Sequence, residues 1–116
     1  MAMRSLTGAV DFGYLETYAG GDLALVEEVL GLFRQQTEIW GPMLDPHGDA
    51  WRDAVHTVKG AARGIGANAL AAACEHAEEA GPGALPTVHA QIDAALADVA
   101  AYLHELALRS LRPDRS

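Results

Sequence analysis

Apolar residues recur at spacings of three and four along almost the whole chain, and no run shows the strict alternation of a half-buried strand. Clusters of Gly, Pro, Asp and Asn cut this helical period into blocks. The first runs from Asp11 to Ala19, with Asp11 as N-cap and Phe12, Leu15, Tyr18 and Ala19 on one face. Gly20 and Gly21 end it. Asp22 caps a second helix whose apolar side carries Val26, Val29, Leu30, Phe33 and Trp40, and which ends near Gly41-Pro42. Met43 to Gly48 reads as a loop. Asp49 is the expected cap of a third helix reaching about Arg63, where Trp51, Val55, Val58, Ala62 and Ile65 step by four, three, four and three. Gly64 and Gly66 break it. Asn68 opens a fourth helix carrying Leu70, Ala73, Cys74 and Ala77, which Gly81-Pro82-Gly83 terminates. The last helix begins between Ala84 and Thr87, tolerates Pro86 in its first turn and continues to about Ser110, a length of roughly 35 Å at 1.5 Å per residue. Its stripe is Val88, Ile92, Ala95, Leu96, Val99, Leu103 and Leu106.

Short loops between long helices predict an all-α fold, an antiparallel up-down four-helix bundle with the short N-terminal helix lying across one end. Residues 1–10 read as an N-terminal extension, 11–110 as the bundle and 111–116 as a disordered tail. The length of 116 residues fits one domain, able to bury roughly two thirds of its unfolded surface. Cys74 is the only cysteine, so no disulfide staples the chain.

Eight basic against sixteen acidic residues give a net charge of −8, which argues against nucleic acid and anionic membranes as partners. No apolar run approaches ~20 residues, and Met1 to Val10 lacks the apolar core of a signal peptide. A cytoplasmic, monomeric protein is expected.

The minority charge is unevenly placed. Three of the eight basic residues, Arg52, the single lysine Lys59, and Arg63, fall within twelve positions, and none lies between Gly64 and Leu108. With the apolar stripe of the third helix at zero on a wheel of 100° per residue, His56 lies about 140° away, Gly60 about 180°, Arg63 about 120°, Arg52 about 100° and Lys59 about 80°. An outward histidine standing alone is an ordinary surface residue. Here it has a lysine at i+3, a glycine at i+4 and an arginine at i+7. Imidazole is a nucleophile near neutral pH, and a phosphoryl group placed on it carries negative charge that Lys59 and Arg63 can offset. Gly60 leaves a gap through which another protein's active site can approach, and a glycine inside a helix costs ~1 kcal/mol against alanine. Asp53, at i−3, is either a hydrogen-bond partner of the ring or a simple exposed acid.

The run His56-Thr57-Val58-Lys59-Gly60-Ala61-Ala62, followed by Gly66-Ala67, Leu70, Cys74 and Glu78, resembles the phosphoacceptor signature of histidine phosphotransfer (HPt) domains. Upstream, Gly20-Gly21-Asp22 with Leu25, Glu28, Leu30 and Phe33 resembles the helix start of the same family, so the likeness spans Val10 to Leu106. It implies a phosphorelay intermediate that exchanges phosphoryl groups with the aspartyl phosphate of receiver domains, downstream of a sensor or hybrid histidine kinase. His56 is then the phosphoacceptor, Lys59 the cation beside the phosphoryl oxygens and Gly60 the opening for the partner. Glu78 stands where the family has Gln or Glu, placed to hold Nδ1 and leave Nε2 free; the alternative is a solvated helix-face acid. Arg63 has no counterpart in the signature, and its supporting role is read from the wheel alone.

The chain departs from the family pattern at Ala61 and Ala62, where serines are common, so a less well hydrogen-bonded and shorter-lived phosphohistidine is expected. With no Gly-rich phosphate loop and no room for an ATP-binding domain, the chain is expected to have no cofactor of its own, to borrow Mg²⁺ from the receiver and not to act as an autonomous kinase. Two other readings stand beside this one. The first is an HPt-like docking module without phosphotransfer. The second is a helical metal protein, for which Asp53-x-x-His56 and Cys74-Glu75-His76 are the nearest candidates.

Overall fold

The computed structural model describes residues 7–111. The reading of 1–6 as extension and of 112–116 as tail therefore lies outside the described residues. Five α-helices follow in order: α1 (Phe12–Tyr18), α2 (Leu23–Met43), α3 (Trp51–Ile65), α4 (Asn68–Ala80) and α5 (Leu85–Leu111), with a 3₁₀ turn at Pro82–Ala84 before α5. No strand occurs among the described residues. Each of α2 to α5 packs on its sequence neighbour and α2 also meets α5, which closes a four-helix bundle; α1 lies against α2 and α3. The molecule is a rod of 57 × 23 × 21 Å.

Two of the three predicted aspartate caps form. Asp11 accepts from the Tyr14 amide at 3.0 Å and Asp22 from the Leu25 amide at 3.2 Å. Asp49 does not cap α3. Ala50 occupies the N-cap position in a helical conformation and makes no side-chain cap bond, which leaves Asp49 one residue too early to reach the N2 or N3 amide. Burial of Trp51 at the first position of α3 pins the helix start in place of a cap. The second helix also outruns its expected stop, passing through Pro42 to Met43, where the Leu44 amide closes it onto the Trp40 and Gly41 carbonyls at 3.1 Å each.

The α3–α4 turn positions everything that follows. Gly66 takes φ +79°, and the pattern Ala67 N to Ala62 O (2.8 Å) with Gly66 N to Arg63 O (3.3 Å) is a Schellman closure. A Cβ on Gly66 would sit 3.0 Å from the Asp11 carbonyl oxygen, so only glycine lets the start of α1 lie on this turn, where the Asp11 amide donates to the Gly66 carbonyl at 2.9 Å.

The core follows the predicted stripes. Val26, Leu30, Phe33 and Trp40 of α2, Val55, Val58, Ala62 and Ile65 of α3, Leu70, Cys74 and Ala77 of α4, and Val88, Ile92, Ala95, Val99 and Leu106 of α5 are all buried. Tyr18, expected on the inner face of α1, is 78% exposed: Phe12 and Leu15 are buried and Ala19 packs against the core, and Tyr18 lies beyond the edge of the face these three share.

At the ends, the domain limits read from sequence shift. Leu111 belongs to α5 and not to a tail. Residues 7–10 are not a loose extension. Val10 is buried, and the Thr7 amide, the Thr7 hydroxyl and the Ala9 amide donate to the carboxylate of Asp98 at 2.9, 3.0 and 2.9 Å. Asp98 is fully buried on α5. Nearby, the rings of Phe12 and Tyr102 stack at 4.2 Å and the Tyr102 hydroxyl donates to Glu16, fixing α1 to α5. Burial first, then that bond to Glu16, pushes the Tyr102 phenol well above its usual range.

Candidate functional site

The outer face of α3 exists because its inner face is fully committed: six buried residues, Trp51, Ala54, Val55, Val58, Ala62 and Ile65, leave the remaining positions to solvent or to the flanking helices. His56 stands at mid-helix with 77% of its side chain exposed. Its Nδ1 lies 3.3 Å from Oε2 of Glu78 on α4. The other carboxylate oxygen of Glu78, Oε1, accepts from Lys59 Nζ at 2.6 Å, and Lys59 keeps only 14% of its side chain exposed. One carboxylate therefore holds both the imidazole and the lysine.

Electrostatics follows from that arrangement. The hydrogen bond from Lys59, aided by the one from His56 and opposed by partial burial, holds the Glu78 carboxyl below the ordinary glutamate range. An ionised acceptor at Nδ1 selects the tautomer with its proton there, which leaves the Nε2 lone pair free on the solvent side. Asp53 takes no part: among the described residues it makes no hydrogen bond to the ring, which faces Glu78. Cys74, one turn before Glu78, is fully buried, and burial with the Glu78 charge pushes its thiol up to about 11.

Gly60 is open. A Cβ built there meets nothing within 4 Å. On the same flank, Ala61 and Gly64 of α3 and Val29, Leu32, Phe33 and Gln36 of α2 line a shallow, mostly apolar groove, over which Leu32 is 54% exposed. The opposite flank of α3, facing α4, carries the charge.

The model of the Hpt domain family matches residues 23–107. The chain belongs to the Hpt domain family. A solved structure with the same bundle is the histidine phosphotransferase ShpA from Caulobacter crescentus, 61% identical over 90% of this chain and 100% of that one, with a TM-score of 0.84. A search of curated proteins returned no match.

Within this Hpt domain the structure brings together three of the residues singled out by sequence, His56, Lys59 and Glu78, and leaves Gly60 open beside them. Arg63 is different. Its guanidinium faces Glu75 on α4 at 3.6 Å, an ion pair between two half-exposed side chains, so its charge is already balanced. Sequence reasoning placed Arg52 on the wheel but gave it no role. In the structure its Nη1 donates to the Glu78 carbonyl at 3.4 Å and its guanidinium lies 4.5 Å over the Trp51 ring. Both contacts depend on α4 and on a rotamer, which a single-helix wheel does not contain.

The metal-protein alternative loses its candidates. Cys74 is buried, Glu75 pairs with Arg63, and His76 is exposed, so these three do not converge. Among the described residues no group of three or more His, Cys, Asp and Glu is disposed to hold a metal ion. Likewise, no described helix is long and apolar enough to cross a membrane.

Proposed function

We propose that this Hpt domain carries a phosphoryl group on Nε2 of His56, taken from the aspartyl phosphate of one receiver domain and delivered to another. The observation that carries the proposal is the Glu78 carboxylate at 3.3 Å from Nδ1 of a ring that is otherwise 77% exposed, an arrangement that orients the nucleophile without covering it. In the transfer, the Nε2 lone pair forms the N–P bond as the P–O bond to the receiver's aspartate breaks, and the aspartate leaves as a carboxylate. The Nδ1 proton stays on the ring. The ring gains positive charge as the bond forms, and the adjacent Glu78 carboxylate balances it. Return of the phosphoryl group to a second aspartate reverses each of these changes.

Lys59 is the cation for the phosphoryl oxygens, and Gly60 with the groove over Ala61, Gly64 and Leu32 is the approach surface for the receiver. In-line phosphoryl transfer depends on positioning and electrostatics, and the Mg²⁺ that supplies much of the latter belongs to the receiver. A sensor or hybrid histidine kinase stands upstream, and the Hpt domain works as a cytoplasmic monomer with no cofactor of its own. Incubation with phosphorylated receiver domains tests this. Acid-labile, base-stable label on the wild type, absent from His56→Gln, is the expected result. If no receiver labels the wild type, the domain is a docking module instead.

A further inference from the structure

The cations around His56 are not equivalent. Among the described residues the ion pairs of this surface are His56–Glu78, Lys59–Glu78 and Arg63–Glu75. Lys59 is committed to a carboxylate at 2.6 Å, and Arg63 faces another at 3.6 Å. Arg52 is exposed and has no carboxylate within 4.0 Å among the described residues. Its one hydrogen bond, to the Glu78 carbonyl, occupies one of five N–H donors, and the Trp51 ring supports the guanidinium from below without neutralising it. The charge is fixed in place and still available.

Arg52 also stands one turn from the imidazole on the surface of α3. Residues four apart are neighbours on a helix surface, and helical side chains lean toward the N-terminus, so the His56 ring covers the turn that holds Arg52. The contact with the Glu78 carbonyl holds the guanidinium at the seam of α3 and α4, one helical turn before the exposed ring.

We propose that Arg52 is a phosphoryl-facing cation of this site, the positive charge that meets the phosphoryl group on His56 Nε2 without having to leave an existing ion pair. The proposal rests on His56 as the phosphoryl carrier. Lys59 is already paired with the Glu78 carboxylate, whereas Arg52 has no carboxylate partner among the described residues and four N–H donors to spare. The contact to the Glu78 carbonyl also ties the end of α4 to the start of α3, and the experiment separates that tie from the electrostatic role.

Single-turnover transfer from a phosphorylated receiver is measured for wild type, Arg52→Gln and Arg52→Lys, over a range of receiver concentrations, together with thermal unfolding of each. A solvent-screened unit charge close to the transferring group corresponds to about a five- to tenfold change in rate. Arg52→Gln is expected to lower the maximal rate by that factor and to leave the half-saturating receiver concentration within about twofold, and Arg52→Lys to recover most of the loss. In parallel, His56 is labelled with phosphoramidate, a small anionic donor that needs no receiver, with His56→Gln identifying the signal from the other histidines. The same slowing in Arg52→Gln supports the proposal there as well. Wild-type rates in Arg52→Gln overturn it while the relay stands. Equal losses in Arg52→Gln and Arg52→Lys that follow a lowered unfolding temperature overturn it in favour of the helix tie. If receivers fail to label the wild type but phosphoramidate labelling still depends on Arg52, the relay reading falls and the cation's role is retained.

Discussion

Replacing Gly60 with alanine separates what the helix prefers from what the site requires. Gly60 lies inside α3, is exposed, and has open space where a Cβ would go. The methyl group therefore meets no steric obstacle in the free protein, and the backbone gains the propensity difference between glycine and alanine, about 0.8–1 kcal/mol. Unfolding entropy of about 2.1 cal/mol/K per residue amounts to roughly 0.24 kcal/mol/K over 116 residues, so Tm rises by about 4 °C.

Transfer from a receiver moves the other way. The added methyl stands one turn from the imidazole on the approach surface, and a displacement of about 1 Å between reacting groups is enough to cost up to ~100-fold in rate. Labelling by phosphoramidate, which needs no such approach, stays at the wild-type rate. Thermal unfolding and single-turnover transfer on the same preparation read both effects. A variant that is stabilised and still accepts phosphoryl groups from receivers at the wild-type rate refutes the role of the gap. One that gains no stability refutes the claim that glycine at this position opposes the helix.

Three other outcomes follow from the packing and the charges. Asp98→Ala strips the acceptor from the Thr7 amide, the Thr7 hydroxyl and the Ala9 amide, and urea unfolding is expected to show a loss of about 2–4 kcal/mol; a loss under about 1 kcal/mol would mean that residues 7–9 are not held by this carboxylate. Lys59→Ala is expected to slow transfer or shorten the phosphohistidine lifetime with helicity unchanged by circular dichroism, and unchanged kinetics would remove Lys59 from the mechanism. The pH dependence of the Nδ1 acceptor has a definite sign. Because the Glu78 pKa is lowered from its ordinary 4.5, chiefly by the Lys59 hydrogen bond, its ionised form persists to lower pH than that of an ordinary glutamate. Carboxyl NMR should show that titration moving upward in Lys59→Ala; no movement would show that Lys59 does not hold the carboxylate in solution.

What could be read from the sequence was mostly what is local to one helix. The caps at Asp11 and Asp22, the stripes of α2 to α5 and the outward position of His56 each depend on residues within a few turns of one another, where the 3.6-residue period is sufficient. Asp49 failed because a cap is set by a single residue's backbone angles, and Ala50 had already turned helical. Features that need a second helix were hidden. Asp98 sits among the apolar positions of α5, and nothing nearby in sequence reveals that its partners are Thr7 and Ala9. Arg63 is paired with Glu75 on α4, a partner its own helix does not reveal. Glu78 was within reach through the family resemblance, but its grip on Lys59 was not, since the spacing between positions 59 and 78 has meaning only once α3 and α4 are packed.

The alanines that replace the family's usual serines carry less weight in the structure than in the sequence. Ala62 is fully buried against the bundle core, so a hydroxyl there would face neighbouring helices and not a group on His56. Ala61 is half-buried and lines the groove with Gly64, Val29 and Leu32, on the flank away from Glu78. A serine at 61 would place a polar group on what is otherwise an apolar approach surface, while Lys59, Glu78 and Arg52 hold the charge on the other flank. The site is thus divided along the axis of α3. The α4 side holds the charges of Lys59, Glu78 and Arg52, and the α2 side offers small and apolar residues along an open groove. His56 lies on the line between them, and the departure at Ala61 falls on the apolar half, away from the charged one.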